Sequence, residues 1–284
     1  MTQSVARTHS CRFVWIGGPI CCGVLSWFGT TPPRSYNAPS RFAKGLRTVS
    51  TIATTAPHDT APLIGGHQHF LLRRLHSLTG IVFGGYLIIH LLVNATIAQG
   101  GAVYQTQVNK IHDLPFLPVI EWTFIYIPII YHTIYGIWIT LTGQPNVNSY
   151  PYGKNWAYTL QRISAIIIVF FILFHVLSLK YGLFGKNLSF DPHRALPTVG
   201  THLDTSTFIA YFVYPIGILA SCYHLANGFW TAAITWGLTV SRQAQRRWGA
   251  VCTGLFVLTF VAGIVALVAG INLQPNVDVP PVQP

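Results

Sequence analysis

Beyond residue 64 the chain divides into five long apolar runs separated by short polar segments. Within each run hydrophobic residues occupy every helical face, where a soluble surface helix would show a single stripe. At 1.5 Å per residue, each run is long enough to cross a hydrocarbon core roughly 30 Å thick. The pattern predicts helices over about 75–98, 119–142, 160–181, 206–237 and 249–271. Pro128 and Pro215 fall inside the second and fourth and are expected to kink them. Four runs each carry one histidine: His90, His132, His175 and His224. The fifth, CTGLFVLTFVAGIVALVAGI, has neither histidine nor charge and reads as a packing helix. The expected fold is an all-α membrane protein of five transmembrane helices spanning 64–272, with a bundle of four histidine-bearing helices and one packing helix.

The flanks differ from this core. Residues 1–63 hold six Arg/Lys, many Ser, Thr and Pro, and a single acid, Asp59. They read as an N-terminal extension, poorly ordered or signal-like in its apolar stretch FVWIGGPICCGVLSWFG. Residues 273–284 form a C-terminal tail. Composition agrees with the pattern: 51% of residues are hydrophobic and only 8% charged, which excludes an ordinary soluble domain. The net charge of +11 is no nucleic-acid signal, because the basic residues lie at helix ends and in the extension. Cys11, Cys21, Cys22, Cys222 and Cys252 form no CxxC or CxxCH, so covalent haem attachment, a zinc site and an iron–sulfur site are not indicated.

Charge also orients the helices. Arg73, Arg74, Lys154, Arg162, Arg242, Arg246 and Arg247 share one side with no acid. Lys110, Lys180, Lys186 and Arg194 share the other with Asp113, Glu121, Asp191, Asp204 and Asp278. The positive-inside rule places the start of the first helix in the cytoplasm. Depth then pairs the histidines. His90 lies roughly 24 Å and His175 roughly 20 Å from the inner surface, so both belong to the outer half. His132 and His224 lie roughly 18 and 27 Å from the outer surface and fit the inner half.

Polar side chains in lipid are costly and usually functional. A single histidine there can simply bridge two helices, and a haem-free structural anchor would use four of them so. Four, one per helix, match bis-imidazole clamping of two non-covalent b-type haems. The expected iron ligands are His90 and His175 for an outer haem, and His132 and His224 for an inner one. Gly136 and Gly228, one turn beyond two of these histidines, either leave room for a porphyrin or let helices approach closely. Gly80 and Gly84 carry the same two readings. Arg73, Arg74, His76, Ser77 and Arg162 lie at the depth of the inner haem propionates, and His76 reads as a propionate or quinone contact. His67, His69, His112, His193 and His202 fall in predicted loops and are expected to be solvated. Two haems across a bilayer imply a membrane-soluble acceptor, a quinone. Glu121, near Asp113 and His112, either exchanges protons at a quinone site or simply complements a helix N-terminus. No nucleotide-binding motif is present, so the first electron donor is expected on another subunit.

The segments RRLHSLTGIVFGGYLIIHLLVN (73–94), LPFLPVIEWTFIYIPIIYHTIYGIWI (114–139), NWAYTLQRISAIIIVFFILFHV (155–176) and YHLANGFWTAAITWGLTVSRQAQR (223–246) resemble the cytochrome b subunit of succinate:quinone oxidoreductases, in the single-chain class with five helices and two haems. The resemblance covers most of residues 70–250. It implies axial ligation by His90, His132, His175 and His224, in the pairing given by depth. It also implies flavoprotein and iron–sulfur partner subunits at the cytoplasmic face of a bacterial inner membrane, with electrons passing through the haems to a quinone, usually menaquinone. In related fumarate reductases a glutamate two residues before the last ligand carries protons. Here that position is Cys222, which favours succinate oxidation over quinol:fumarate reduction.

Overall fold

Each apolar run forms a helix, and several helices outlast the run that predicts them. The computed structural model describes residues 66–183, 189–204 and 206–272; the extension 1–63 and the tail 273–284 lie outside the described residues. Five helices in it are long and apolar enough to cross a membrane. These are α1 (Gly66–Ala95), α3 (Leu117–Thr142), α4 (Gly153–Tyr181), α6 (Ile209–Thr235) and α7 (Arg242–Asn272). No strand occurs among the described residues. Helices α1, α4 and α7 begin seven to nine residues before the predicted positions, within GHQHFLLRR, GKNWAYTLQ and RQAQRRW. Those segments are polar but rich in good helix formers, so the helix continues where hydropathy stops.

Two shorter helices lie outside the predicted set. α2 (Gly101–His112) and α5 (Ala195–Asp204) occupy stretches that read as loops. Neither is long enough to cross a membrane, yet they bury Tyr104, Val108, Ala195 and Leu196 against Ile97 as a small core of their own. Gln105 locks them together. Its Nε2 donates to the Pro192 carbonyl at 2.6 Å, and its Oε1 accepts from the Ala195 amide at 3.1 Å.

The prolines act through π-helical turns. Trp122–Tyr126 precedes Pro128, and Ile209–Val213 precedes Pro215. A proline removes one helical donor and its ring crowds the carbonyl four residues back. A widened turn just ahead of it accommodates that crowding.

Packing centres on α6. Half of its central stretch is buried, against 11% for α3 and α4. It presents Gly217, Ala220, Ser221, Cys222 and Ala226 to its neighbours. Small residues let membrane helices approach closely: a Cβ on Gly263 of α7 would lie 2.6 Å from Ile218, and one on Gly84 of α1 would lie 2.6 Å from Leu225. Helices α1, α6 and α7 therefore form the packed core, where Leu91, Ile218, Cys222 and Ala262 meet. α3 flanks α1 and α4 flanks α6, but α3 and α4 touch each other little. The outer faces carry exposed Phe170, Phe212, Val257 and Val261, which suits a surface solvated by lipid tails. The bundle is thus open between α3 and α4, and that opening leads to the site.

Candidate functional site

A cavity of about 1930 Å³ runs through the bundle between α1, α3, α4 and α6. That is about twice the upper end of ordinary single-ligand pockets. It reaches from Arg73 and Arg162 at the arginine-rich end to Glu121 and Lys180 at the acidic end, and all four membrane histidines line it.

The histidines meet in two pairs. The rings of His90 (α1) and His175 (α4) have centroids 6.0 Å apart with planes at 87°. Those of His132 (α3) and His224 (α6) are 6.1 Å apart at 85°. These spacings can be tested against bis-imidazole ligation. With each ligating nitrogen about 2.0 Å from a shared metal and each ring centre about 1.1 Å further on, centroids would stand roughly 6.2 Å apart. Both pairs match. Among the described residues no group of three or more His, Cys, Asp or Glu gathers. Each pair offers only two donors, which is too few for a closed tetrahedral zinc site but fits a metal whose other ligands come from a macrocycle.

Each pair is held by neighbours that occupy the other ring nitrogen. His132 Nδ1 donates to the His76 carbonyl at 3.0 Å, and the His76 ring stacks on it at 4.0 Å and 12°. His224 Nδ1 lies 3.2 Å from the Gln161 carbonyl and 3.3 Å from Ser164 Oγ. Gln161 in turn donates to the His224 carbonyl at 3.1 Å and accepts from the buried Asn227 at 2.8 Å. His175 Nδ1 lies 3.2 Å from the Tyr214 hydroxyl. A partner on Nδ1 orients the ring and leaves Nε2 for a metal.

The glycines divide. A Cβ on Gly80 would stand 2.6 Å from His132 Cε1, so Gly80 admits the histidine itself. One on Gly136 would meet His76 at 3.2 Å. One on Gly228 would meet only Gln161, at an ordinary 3.6 Å, and both Gly136 and Gly228 border the cavity.

At the arginine-rich end Arg73, His76, Ser77 and Arg162 line the cavity. Arg162 packs over the Tyr158 ring and against Gly143, with its Nε buried and unpaired. His76 Nδ1 is likewise buried without a partner. Ser77 Oγ accepts from Trp236 Nε1 at 3.0 Å. Arg74 is placed differently from the other four: its guanidinium lies between Phe70 and Trp236, at 4.9 and 4.8 Å, outside the cavity lining. At the acidic end Glu121 lies 3.9 Å from Lys180 Nζ, which also bonds the Tyr126 hydroxyl. All three line the cavity. Sequence reasoning sets Glu121 beside Asp113 and His112 and misses Lys180 and Tyr126. A signal for them is present: opposite charges at the same end of consecutive helices.

The histidines assigned to loops need correction. His69 lies within α1, its Nδ1 3.1 Å from the Tyr135 hydroxyl. His112 ends α2, with Nδ1 2.9 Å from the Val108 carbonyl. His202 is buried on α5, its Nε2 2.9 Å from the Tyr214 hydroxyl. His112 is nonetheless exposed, as expected, and His193 is exposed outside a long helix; the His67 side chain lies outside the described residues. His69 escapes because α1 extends past its apolar run, and His112 and His202 because α2 and α5 carry no hydropathy signal of their own.

No family model matches the chain. Among curated proteins, it is 33% identical over 208 residues to the succinate dehydrogenase cytochrome b558 subunit of Bacillus subtilis (strain 168), an alignment covering 72% of this chain and 99% of that protein. A likeness of that extent, over a multi-pass bundle with a histidine-lined interior, leads to one conclusion: the chain belongs to the succinate dehydrogenase cytochrome b family.

Proposed function

We propose that this chain is the di-haem electron-conducting anchor of a succinate:quinone oxidoreductase. His90 and His175 hold one b haem in the outer half of the bundle, and His132 and His224 hold another in the inner half. The observation carrying this reading is the pair of ring separations, 6.0 and 6.1 Å, each matched to two imidazoles on one iron. Bound haem supplies one-electron chemistry, so that two of them connect an iron–sulfur partner on one face to a quinone on the other.

The chain's own residues do the rest. Gln161, Ser164 and the His76 carbonyl orient the inner ligands. Arg73, Ser77, His76 and Arg162 offer donors to propionates at the arginine-rich end, and the buried, unpaired Arg162 Nε and His76 Nδ1 suit that role. Arg74, held between two aromatic rings, serves as an interfacial anchor. The arginine-rich end faces the cytoplasm of a bacterium and docks the iron–sulfur subunit, which in turn carries the flavoprotein. At the acidic end Glu121, Lys180 and Tyr126 exchange protons with a quinone, menaquinone by family resemblance. Succinate oxidation is the favoured direction. Cys222, at the position of the proton-carrying glutamate of the fumarate reductases, is fully buried in the core with α7.

Haem stoichiometry tests the reading. The complex purified in detergent should contain two b haems per chain, both reduced on adding succinate. His90→Ala should lose one and His132→Ala the other. A haem-free preparation, or the same haem lost in both variants, refutes it.

A further inference from the structure

His175 is held differently from the inner ligands. His132 and His224 place Nδ1 against backbone carbonyls, whereas His175 faces a phenol that is itself shared. Tyr214 is buried at the start of α6, 3.2 Å from His175 Nδ1 on one side and 2.9 Å from His202 Nε2 on the other. His202 comes from α5, a helix outside the membrane-spanning set, and is itself buried. Tyr214 touches both imidazoles, with ring centroids 5.8 Å from His175 and 5.8 Å from His202.

We propose that Tyr214 and His202 form a positioning relay that fixes the tautomer of His175 and strengthens it as an electron donor. A hydroxyl has one proton, so Tyr214 can donate to only one of its two imidazoles. The inference rests on His175 ligating through Nε2, as proposed above. Its proton is then on Nδ1 and must be donated to the Tyr214 oxygen. Tyr214 in turn gives its own proton to His202 Nε2, and His202 carries its proton on Nδ1. The direction of the chain is thereby set from His175 outward. Burial pushes the His202 imidazole below its ordinary range, which favours the neutral, accepting form that the relay needs. Each bond in such a chain polarises the next, so His202 makes Tyr214 a better acceptor, and Tyr214 makes His175 a more electron-rich ligand. An electron-rich imidazole favours the oxidised metal. α5, which is outside the membrane-spanning set, thus acts on His175 through Tyr214.

The test is redox titration of the intact complex, with haem content measured alongside. Tyr214→Phe keeps the ring and removes only the hydroxyl. Its outer haem should show a raised midpoint potential and bind more weakly, by about 10- to 100-fold as for other lost outer-shell partners, while the inner haem is unchanged. His202→Leu should shift the outer midpoint the same way. His202→Gln, whose amide oxygen can accept from Tyr214, should restore it. Tyr214→Phe with His202→Leu should go no further than Tyr214→Phe alone, because one chain is broken once. An unchanged outer midpoint in Tyr214→Phe, additive shifts in the double variant, or equal effects of Leu and Gln at 202 overturns the relay. Should Tyr214→Phe fail to accumulate, the Leu and Gln pair at 202 decides. A wild-type complex lacking two haems, or His175→Ala retaining both, overturns the underlying haem reading instead.

Discussion

Gly80→Ala is the sharpest perturbation of the inner site, because it puts a methyl group where His132 already stands. The new Cβ would lie 2.6 Å from His132 Cε1 and 2.8 Å from Nδ1. Reaching an ordinary 3.4 Å requires the ring to withdraw by about 0.8 Å. His132 cannot withdraw freely, being bonded to the His76 carbonyl at 3.0 Å and stacked on the His76 ring at 4.0 Å. Overpacking of this kind costs about 1–3 kcal/mol. Alanine recovers about 1 kcal/mol of that through helix propensity, so the fold should lose only about 0–2 kcal/mol. The ligand geometry is far less tolerant, since a displacement near 1 Å is enough to spoil a site that depends on orientation. Gly80→Ala should therefore still yield a folded detergent-purified complex, yet deplete or spectrally shift the inner haem and spare the outer one. Gly85→Ala is the matched control: nothing lies within 4 Å of its Cβ, so both haems should persist. Two unperturbed haems in Gly80→Ala, read by pyridine haemochrome and reduced-minus-oxidised spectra, would refute this account of how His132 is placed.

Other variants separate stability from function. Gln161→Leu strips the buried Asn227 amide of its acceptor and removes a donor to the His224 carbonyl; it should cost about 1–3 kcal/mol, seen as a lowered melting temperature with weakened inner haem. Glu121→Gln and Lys180→Met disrupt a half-exposed pair worth at most about 1 kcal/mol. Melting and haem content should stay as in the wild type while quinone reduction falls, by up to the 10²–10⁴-fold range of lost acid–base groups; unchanged quinone turnover in both variants would remove them from the acceptor site.

The five spanning helices are legible in the sequence because lipid demands them: a run of about twenty apolar residues fits little besides a membrane crossing. The meeting of His90 with His175 and of His132 with His224 is legible from arithmetic alone, since rise per residue and charge bias fix depth. What escapes has a common cause. Hydropathy marks where lipid begins and ends, not where helices do, so the starts of α1, α4 and α7 and all of α2 and α5 read as loops. His69, His112 and His202 are misplaced with them. The Lys180–Tyr126 contact escapes because it joins helices whose adjacency depth alone does not give. Arg74 and Arg73 are neighbours in sequence, but successive helical positions point about 100° apart, and only Arg73 borders the cavity.

Why four histidines make two sites, not one cluster, follows from helix direction. Consecutive spanning helices run antiparallel, so the helices facing each other across the cavity run parallel: α1 with α4, and α3 with α6. Residues equally far along parallel helices meet at equal depth. His132 lies fifteen residues beyond Leu117, and His224 fifteen beyond Ile209, each roughly 22 Å along its helix. His90 lies twenty-four residues beyond Gly66, and His175 twenty-two beyond Gly153, a difference of only about 3 Å. A histidine moved by one turn, about 5.4 Å, would leave its partner facing apolar side chains. The parallel relation of opposite helices thus lets one residue per helix specify two sites at different depths. Because each histidine pair spans the cavity from α1 or α6 in the packed core to α4 or α3 on its flank, whatever bridges a pair also ties those flanks to the core. Loss of either site should loosen the flanking helix it holds, α4 for the outer pair and α3 for the inner, ahead of α1, α6 and α7.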